Sequence, residues 1–258
     1  MPASTPAPKI GLFVTCPVDL MRPSVAFACV KLLEDAGCEV VVPPQSCCGQ
    51  VAWNNGLSGE ARTLARQVVA AFAAVDYVVA PSGSCASMLK NHYPTLFADS
   101  DELARVEAFS ARVYELTVFL HDVLGVQSNS PAPAENSKTV AYHDSCAGLR
   151  ELGIRHQPRA LARHYRGVHL GDLEDSETCC GFGGTFCVKF ADISNHMVTA
   201  KARQVAALHP DLLLGGDLSC LLNLAGKLRR QGDRDTRVFH IAEFLAGWDD
   251  RPALGWEE

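Results

Sequence analysis

The sequence predicts an α/β protein built as two repeated halves, each with a parallel sheet and with cysteines on the loops at the strand C-terminal ends. Three observations predict it. Short apolar runs rich in branched residues alternate with longer segments of helical periodicity, an order that makes strands parallel with crossovers between them. The triplet Cys-Cys-Gly occurs twice, at 47–49 and 179–181, 132 residues apart. Lone cysteines recur around it at similar distances: Cys16 answers Cys146 at offset 130, and Cys85 answers Cys220 at offset 135.

In the first half, Ile10 to Val14 is a branched apolar run that reads as a buried strand. Val25, Ala28, Cys29, Leu32, Leu33 and Ala36 follow at helical spacing, with Pro23 before the helix and Gly37 after it. Glu39 to Val42 is the next strand, stopped by Pro43-Pro44. Leu57, Ala61, Leu64, Ala65, Val68, Val69 and Phe72 line one face of a second helix. Tyr77 to Ala80 is the third strand. From Thr139 the same order repeats. Asp76–Ala80 answers Asp211–Gly215, and Ser84-Cys85 answers Ser219-Cys220. Val113-Tyr114 and Phe119-Leu120 answer Val238-Phe239 and Phe244-Leu245 at offset 125. The Pro/Ser/Ala/Asn stretch between them has no apolar periodicity, so the expected organisation is a first domain at 1–126, a linker at 127–138 and a second domain at 139–258.

The 258 residues carry 23 Lys+Arg against 29 Asp+Glu, a net charge of −6, which disfavours nucleic acid as the main partner. No apolar run approaches the roughly 18 residues of a membrane span. Met1–Lys9 lacks a charged leader region, so a cytoplasmic chain is expected. The 11 cysteines are an odd number, so disulfides cannot use them all. In a reducing compartment such a set points to metal or redox chemistry.

Cys16, Cys47, Cys48 and Cys85, and likewise Cys146 and Cys220, sit beyond strands, on the sheet edge where such folds place ligands, so with Cys179 and Cys180 four cysteines would converge in each half. Thiolates are soft ligands suited to zinc or iron–sulfur clusters. Neither the C-x2-C pairs of zinc sites nor the ferredoxin run C-x2-C-x2-C-x3-C-P is present. Adjacent cysteines aim poorly at one ion and suit a multi-iron group, and the following glycine permits a positive-φ turn. Burial as inert thiols, and a strained vicinal disulfide at Cys47-Cys48, remain open at this level. Cys29, on a helix stripe, and Cys38, at a helix-to-strand junction, read as packing residues; Cys187 is a weaker site candidate.

These motifs carry a resemblance. Gly11-Leu12-Phe13-Val14-Thr15-Cys16-Pro17, Gln45-Ser46-Cys47-Cys48-Gly49, Tyr142-His143-Asp144-Ser145-Cys146 and Cys179-Cys180-Gly181-Phe182-Gly183-Gly184 resemble the cysteine-rich CCG domain family over nearly the whole chain. That family includes the B subunit of heterodisulfide reductase and the iron–sulfur parts of glycolate and anaerobic glycerol-3-phosphate oxidising enzymes. Within it, the chain resembles the stand-alone lactate-utilisation members. The resemblance implies that the eight matched cysteines hold iron–sulfur clusters, one or two per chain. It also implies partner subunits, one of them a ferredoxin-type iron–sulfur protein, and joint oxidation of the 2-hydroxy acid L-lactate to pyruvate. The alternatives it leaves are a thiol–disulfide reductase subunit or the iron–sulfur subunit of a glycolate or glycerol-3-phosphate dehydrogenase. A scaffold without redox turnover is a third class.

The family motif ends in C-x2-C, but here the first position of that pair is Ser82 in one half and Asp217 in the other. Four cysteines per half suffice for a [4Fe–4S] cubane. Ser82 and Asp217 then read as helix caps, or else as oxygen ligands to the cluster. Relatives carry histidine after the second-half lone cysteine, where Ala147 stands here. His143 is the local candidate for a base, or else a strand-end residue in a hydrogen bond. Arg150 is a candidate for binding a carboxylate, or else a solvated helix arginine. The glycine-rich run at 181–184 is expected to wrap the second cluster with its amides.

Overall fold

The computed structural model describes residues 6–126, 138–163 and 168–256. Within them are two parallel sheets of four strands. The first contains β1 (Lys9–Leu12), β2 (Glu39–Val41), β3 (Tyr77–Ala80) and β4 (Val113–Glu115), ordered β2-β1-β3-β4. The second contains β5 (Thr139–His143), β6 (His169–Gly171), β7 (Leu212–Gly215) and β8 (Arg237–His240), ordered β6-β5-β7-β8. The register repeats as well: Lys9 faces Glu39, and Thr139 faces His169. The predicted α/β class and its duplication are therefore observed.

The two predicted helices lie at Ser24–Asp35 and Ser58–Ala71. Gly37 at φ 84° ends the first, a conformation that side chains with a Cβ resist. The periodicity predicts three strands per half, and a fourth is present. β4 is only three residues long, so no alternation could reveal it. All but Lys138 of the expected linker at 127–138 lies outside the described residues.

Side-chain alternation along the strands divides the core. Ile10, Leu12 and Val79 belong to one apolar cluster, whereas Phe13, Val78 and Ala80 belong to another. The first cluster continues through Ala141, Leu213 and Leu221 of the second half. Each fully buried aliphatic side chain contributes about 1.5–3 kcal/mol, so separating the halves would expose a costly surface.

The halves also meet at helices. The helix Gly83–Ser87 packs on the helix Cys146–Leu152. The approach is so close that a Cβ on Gly83 would lie 2.8 Å from Gly148 Cα. The helix Ile241–Leu245 packs on Ser24–Asp35, and beside it the buried Arg22 donates through Nε to Glu243 Oε1 at 2.9 Å. Between these contacts Ser82 pairs with Asp217 in an isolated bridge. These two residues are each other's repeat equivalents, and a position meets its own equivalent only on a two-fold axis. The duplication therefore folds as a pseudo-dimer.

Candidate metal centre

Each lone cysteine sits in the first turn of a helix that follows a strand. Cys16 opens the helix Cys16–Met21 after β1, and Cys146 opens Cys146–Leu152 after β5. Cys85 is the third residue of Gly83–Ser87 after β3, and Cys220 is the third of Leu218–Arg230 after β7. Parallel strands bring these turns to one edge, so thiols remote in sequence converge. In the first half Cys48 Sγ lies 3.4 Å from Cys85 Sγ, while Cys47 hydrogen-bonds with both Cys16 and Cys48. In the second, Cys179 Sγ lies 3.7 Å from Cys146 Sγ, and Cys180 contacts both Cys179 and Cys220. All eleven cysteines are free thiols. Each set has two buried sulfurs, Cys48 and Cys85 or Cys180 and Cys220, and two that reach towards solvent.

The electrostatics repeat too. Cys47 is held well below an ordinary thiol because Cys16 and Cys48 donate to it and the Gly49 amide adds a third bond at 3.4 Å. Cys179 is lowered in the same way by Cys146, Cys180 and the Gly181 amide, also at 3.4 Å. The donors move the other way: hydrogen bonding to the thiolate raises Cys16, Cys48, Cys146 and Cys180, and burial adds to it. Each half therefore presents one thiolate surrounded by thiols, a soft anionic donor set that suits a metal or an iron–sulfur group.

Glycine makes the pair loops possible. Gly49 has φ 85° and Gly181 φ 80°, so both adopt the predicted positive-φ turn. A Cβ on Gly181 would stand 2.8 Å from Ser194 O and 2.9 Å from Met197 Cβ. Side chains missed by the sequence reading fix these loops. Tyr93 Oη donates to Cys48 O at 2.9 Å, and Asn223 Nδ2 donates to Cys180 O at 2.9 Å. The buried Lys201 donates through Nζ to Asp175 O and Ser176 O just before the second pair. Its helical spacing from Ser194, Val198 and Val205 on the buried face was the available signal.

The remaining candidates divide. Cys29 and Cys38 are core residues, as their patterns predict. Cys187 donates to Gly184 O at 3.1 Å rather than joining the sulfur cluster. Ser82 caps its helix by accepting from the Cys85 amide at 3.3 Å, as expected. The Asp217 side chain makes no capping bond to its own helix. It instead accepts from Ser82 Oγ at 3.0 Å and Ser84 Oγ at 2.7 Å across the axis, a long-range contact invisible in local sequence. Ala147 is buried. Arg150 is exposed and donates through Nη2 to Glu177 O at 3.0 Å, tying its helix to the loop before Cys179.

His143 departs from the hydrogen-bonded strand-end reading. It is 1 % exposed, and neither ring nitrogen has a hydrogen-bond partner among the described residues. Two unsatisfied buried nitrogens cost about 1–3 kcal/mol each. Its ligand atom lies with the Cys180 and Cys220 sulfurs in a group whose members are all within 4.8 Å of one another. Burial, helped by Lys201, lowers its pKa to about 4, so the ring is neutral. Its neighbour Asp144 is fully engaged with Arg159, by two bonds of 2.8 Å. An open cavity of about 430 Å³ reaches Cys179 and is lined also by Asn54, Asn55, Thr185 and Lys189.

A duplicated α/β scaffold that gathers four thiols at each of two strand edges defines a class of cysteine-rich redox or metal proteins. Comparison makes it specific: a model of the cysteine-rich domain matches residues 10–90 and again 140–225, and the chain belongs to this CCG family. It is 45 % identical to lactate utilization protein A of Geobacillus kaustophilus (strain HTA426), covering 92 % of this chain and 98 % of that one. Lactate utilization protein A of Bacillus velezensis (strain DSM 23117 / BGSC 10A6 / LMG 26770 / FZB42) is 43 % identical with the same coverage. The crystal structure of a hypothetical protein from Helicobacter pylori matches with a TM-score of 0.62 at 12 % identity. That match covers 98 % of this chain and 50 % of the other, and shows the fold alone. Among the described residues no helix is long and apolar enough to cross a membrane.

Proposed function

We propose that this chain is the iron–sulfur electron-transfer subunit of a multi-subunit L-lactate dehydrogenase that oxidises L-lactate to pyruvate. The observation that carries the proposal is the convergence of four cysteines in each half, in a chain so similar to lactate utilization proteins. In this reading Cys16, Cys47, Cys48 and Cys85 hold one cluster, and Cys146, Cys179, Cys180 and Cys220 hold a second, each of [4Fe–4S] type. The proposal includes the division into 1–126 and 139–258, joined by 127–138. When bound, each cluster supplies one-electron redox chemistry.

The chain's own residues set the conditions for that chemistry. Tyr93 and Asn223 fix the two cysteine pairs by their carbonyls, and the Gly49 and Gly181 amides favour the anionic form of Cys47 and Cys179. Lactate oxidation releases two electrons and two protons, so the reaction calls for partner subunits, including a ferredoxin-type iron–sulfur protein, to complete the path. If the 2-hydroxy acid comes to this chain, the cavity beside Cys179 offers Lys189 for its carboxylate, and Arg150 lies on a neighbouring loop contact. A disulfide-cleaving role would call on the fifth motif thiol of each half. Ser82 and Asp217 stand in that place and bind one another, which favours electron transfer.

The test is anaerobic purification followed by iron and sulfide quantitation and electron paramagnetic resonance. The proposal expects a brown protein with several irons and matching sulfide per chain, reducible by an accessible donor. A colourless protein that binds one zinc would sink it. A cluster that no donor reduces would favour a scaffold, and turnover of a disulfide substrate would favour the reductase alternative.

A further inference from the structure

The two centres have matching sulfurs but not matching neighbours. At the offset that relates Cys16 to Cys146, the equivalent of His143 is Phe13. Phe13 packs its ring 5.8 Å from Phe72 and has no donor to offer. His143 projects from the end of β5 with both nitrogens buried and unpartnered, and it shares its space with the Cys180 and Cys220 sulfurs. The nearby polar groups are committed elsewhere. Asp144 is engaged with Arg159, Asp217 with Ser82 and Ser84, and Lys201 with backbone carbonyls. What remains within reach of the ring is the group that the four cysteines would hold.

We infer that His143 takes the place of one of the four thiolates as a nitrogen donor to the metal centre of the second half, so that this centre is held by three thiolates and an imidazole while the first is held by four thiolates. The inference rests on the cluster reading above. Imidazole is neutral where thiolate is negative, and replacing thiolate by histidine at an iron–sulfur group raises its reduction potential. The two centres of one chain would then be ordered in potential, with the second the better electron acceptor. A ring sealed this far from solvent suits ligation better than proton abstraction from a substrate.

Pulsed electron paramagnetic resonance on the reduced full-length chain, prepared with 15N-labelled histidine, tests this without any substitution. A strong histidine-nitrogen coupling at one of two centres is expected. Its absence, or only the weak coupling of a hydrogen bond to sulfur, overturns the inference while leaving the clusters in place. His143→Phe, which copies the first half, should abolish that coupling and lower one of the two midpoint potentials, leaving the other unmoved. A variant that keeps its iron with both potentials unchanged counts against ligation. A chain without iron overturns the cluster reading, and this inference with it.

Discussion

Where β1 of the first half leads to Phe13, β5 of the second ends in His143. The helix that follows the fourth strand is capped by Glu115 in one half and by His240 in the other. Glu115 accepts from the Thr117 and Val118 amides, and His240 Nδ1 accepts from the Ala242 amide. The first pair loop is held by a tyrosine and the second by an asparagine. Both halves gather four thiols, so the common feature is the thiol edge and the variable feature is the polarity packed behind it. One fold thus provides two environments for one kind of donor set.

The largest effect should come from the donors. Cys48→Ser and Cys180→Ser should each remove the iron of their own half, while Cys29→Ser, in the core, should keep all of it. Equal losses in the three variants, by metal analysis, would mean that ligands and packing residues were wrongly separated.

Next come the two sides of the pseudo-dimer. One side is closed by the buried Arg22–Glu243 pair, and the other by Gln157, which donates through Nε2 to Asp122 Oδ2 at 2.8 Å. Removing one partner of a buried ion pair costs about 3–5 kcal/mol, against about 1 kcal/mol for a hydrogen bond. Urea unfolding of Arg22→Ala and Gln157→Ala should reveal this difference; equal losses would show that the ion pair is not the stronger clasp.

The two caps should respond oppositely to pH. Burial raises Glu115 to about pH 7, so the folded chain binds this proton more tightly than the unfolded chain does. Its contribution is full below about pH 4.5 and is lost as pH rises through 7, on the order of 3 kcal/mol. Burial lowers His240, so its contribution is present above about pH 6.5 and is lost as pH falls through its folded value. Glu115→Gln should remove the decline in unfolding free energy between pH 5 and 7.5. An unchanged slope would place that decline elsewhere.

The smallest effect separates the pair loops. Gly49→Ala should cost about 1 kcal/mol for its positive φ, since a Cβ there meets nothing nearer than 3.5 Å. Gly181→Ala should cost about 2–4 kcal/mol, because strain adds to the contacts with Ser194 and Met197. Thermal denaturation that ranks them equal would mean the second loop relaxes freely.

Much of this was legible in the sequence because repetition amplifies weak signals. A single apolar run such as Tyr77–Ala80 is ambiguous, but its recurrence at Leu212–Gly215 in step with a cysteine is not. The sulfur groupings followed from strand order, since parallel strands share an edge. What stayed hidden depends on contacts between the halves. Asp217 reads locally as a helix cap and only the fold turns it towards Ser82 and Ser84. Lys201 reads as a surface lysine until its helix buries that face. His143 was visible as a candidate, but its orphaned nitrogens are a property of packing.

The Ser82–Asp217 contact has an implication for how such a molecule can diversify. In a dimer of identical chains, any residue on the axis confronts itself, so an aspartate there would face another aspartate and the two charges would repel. A chain carrying both copies is free of that restriction. It can set hydroxyl against carboxylate at the axis, phenyl against imidazole behind the sulfurs, and acid against base at the caps. Every molecule then contains one of each half in a fixed ratio, with no need to sort like subunits from unlike.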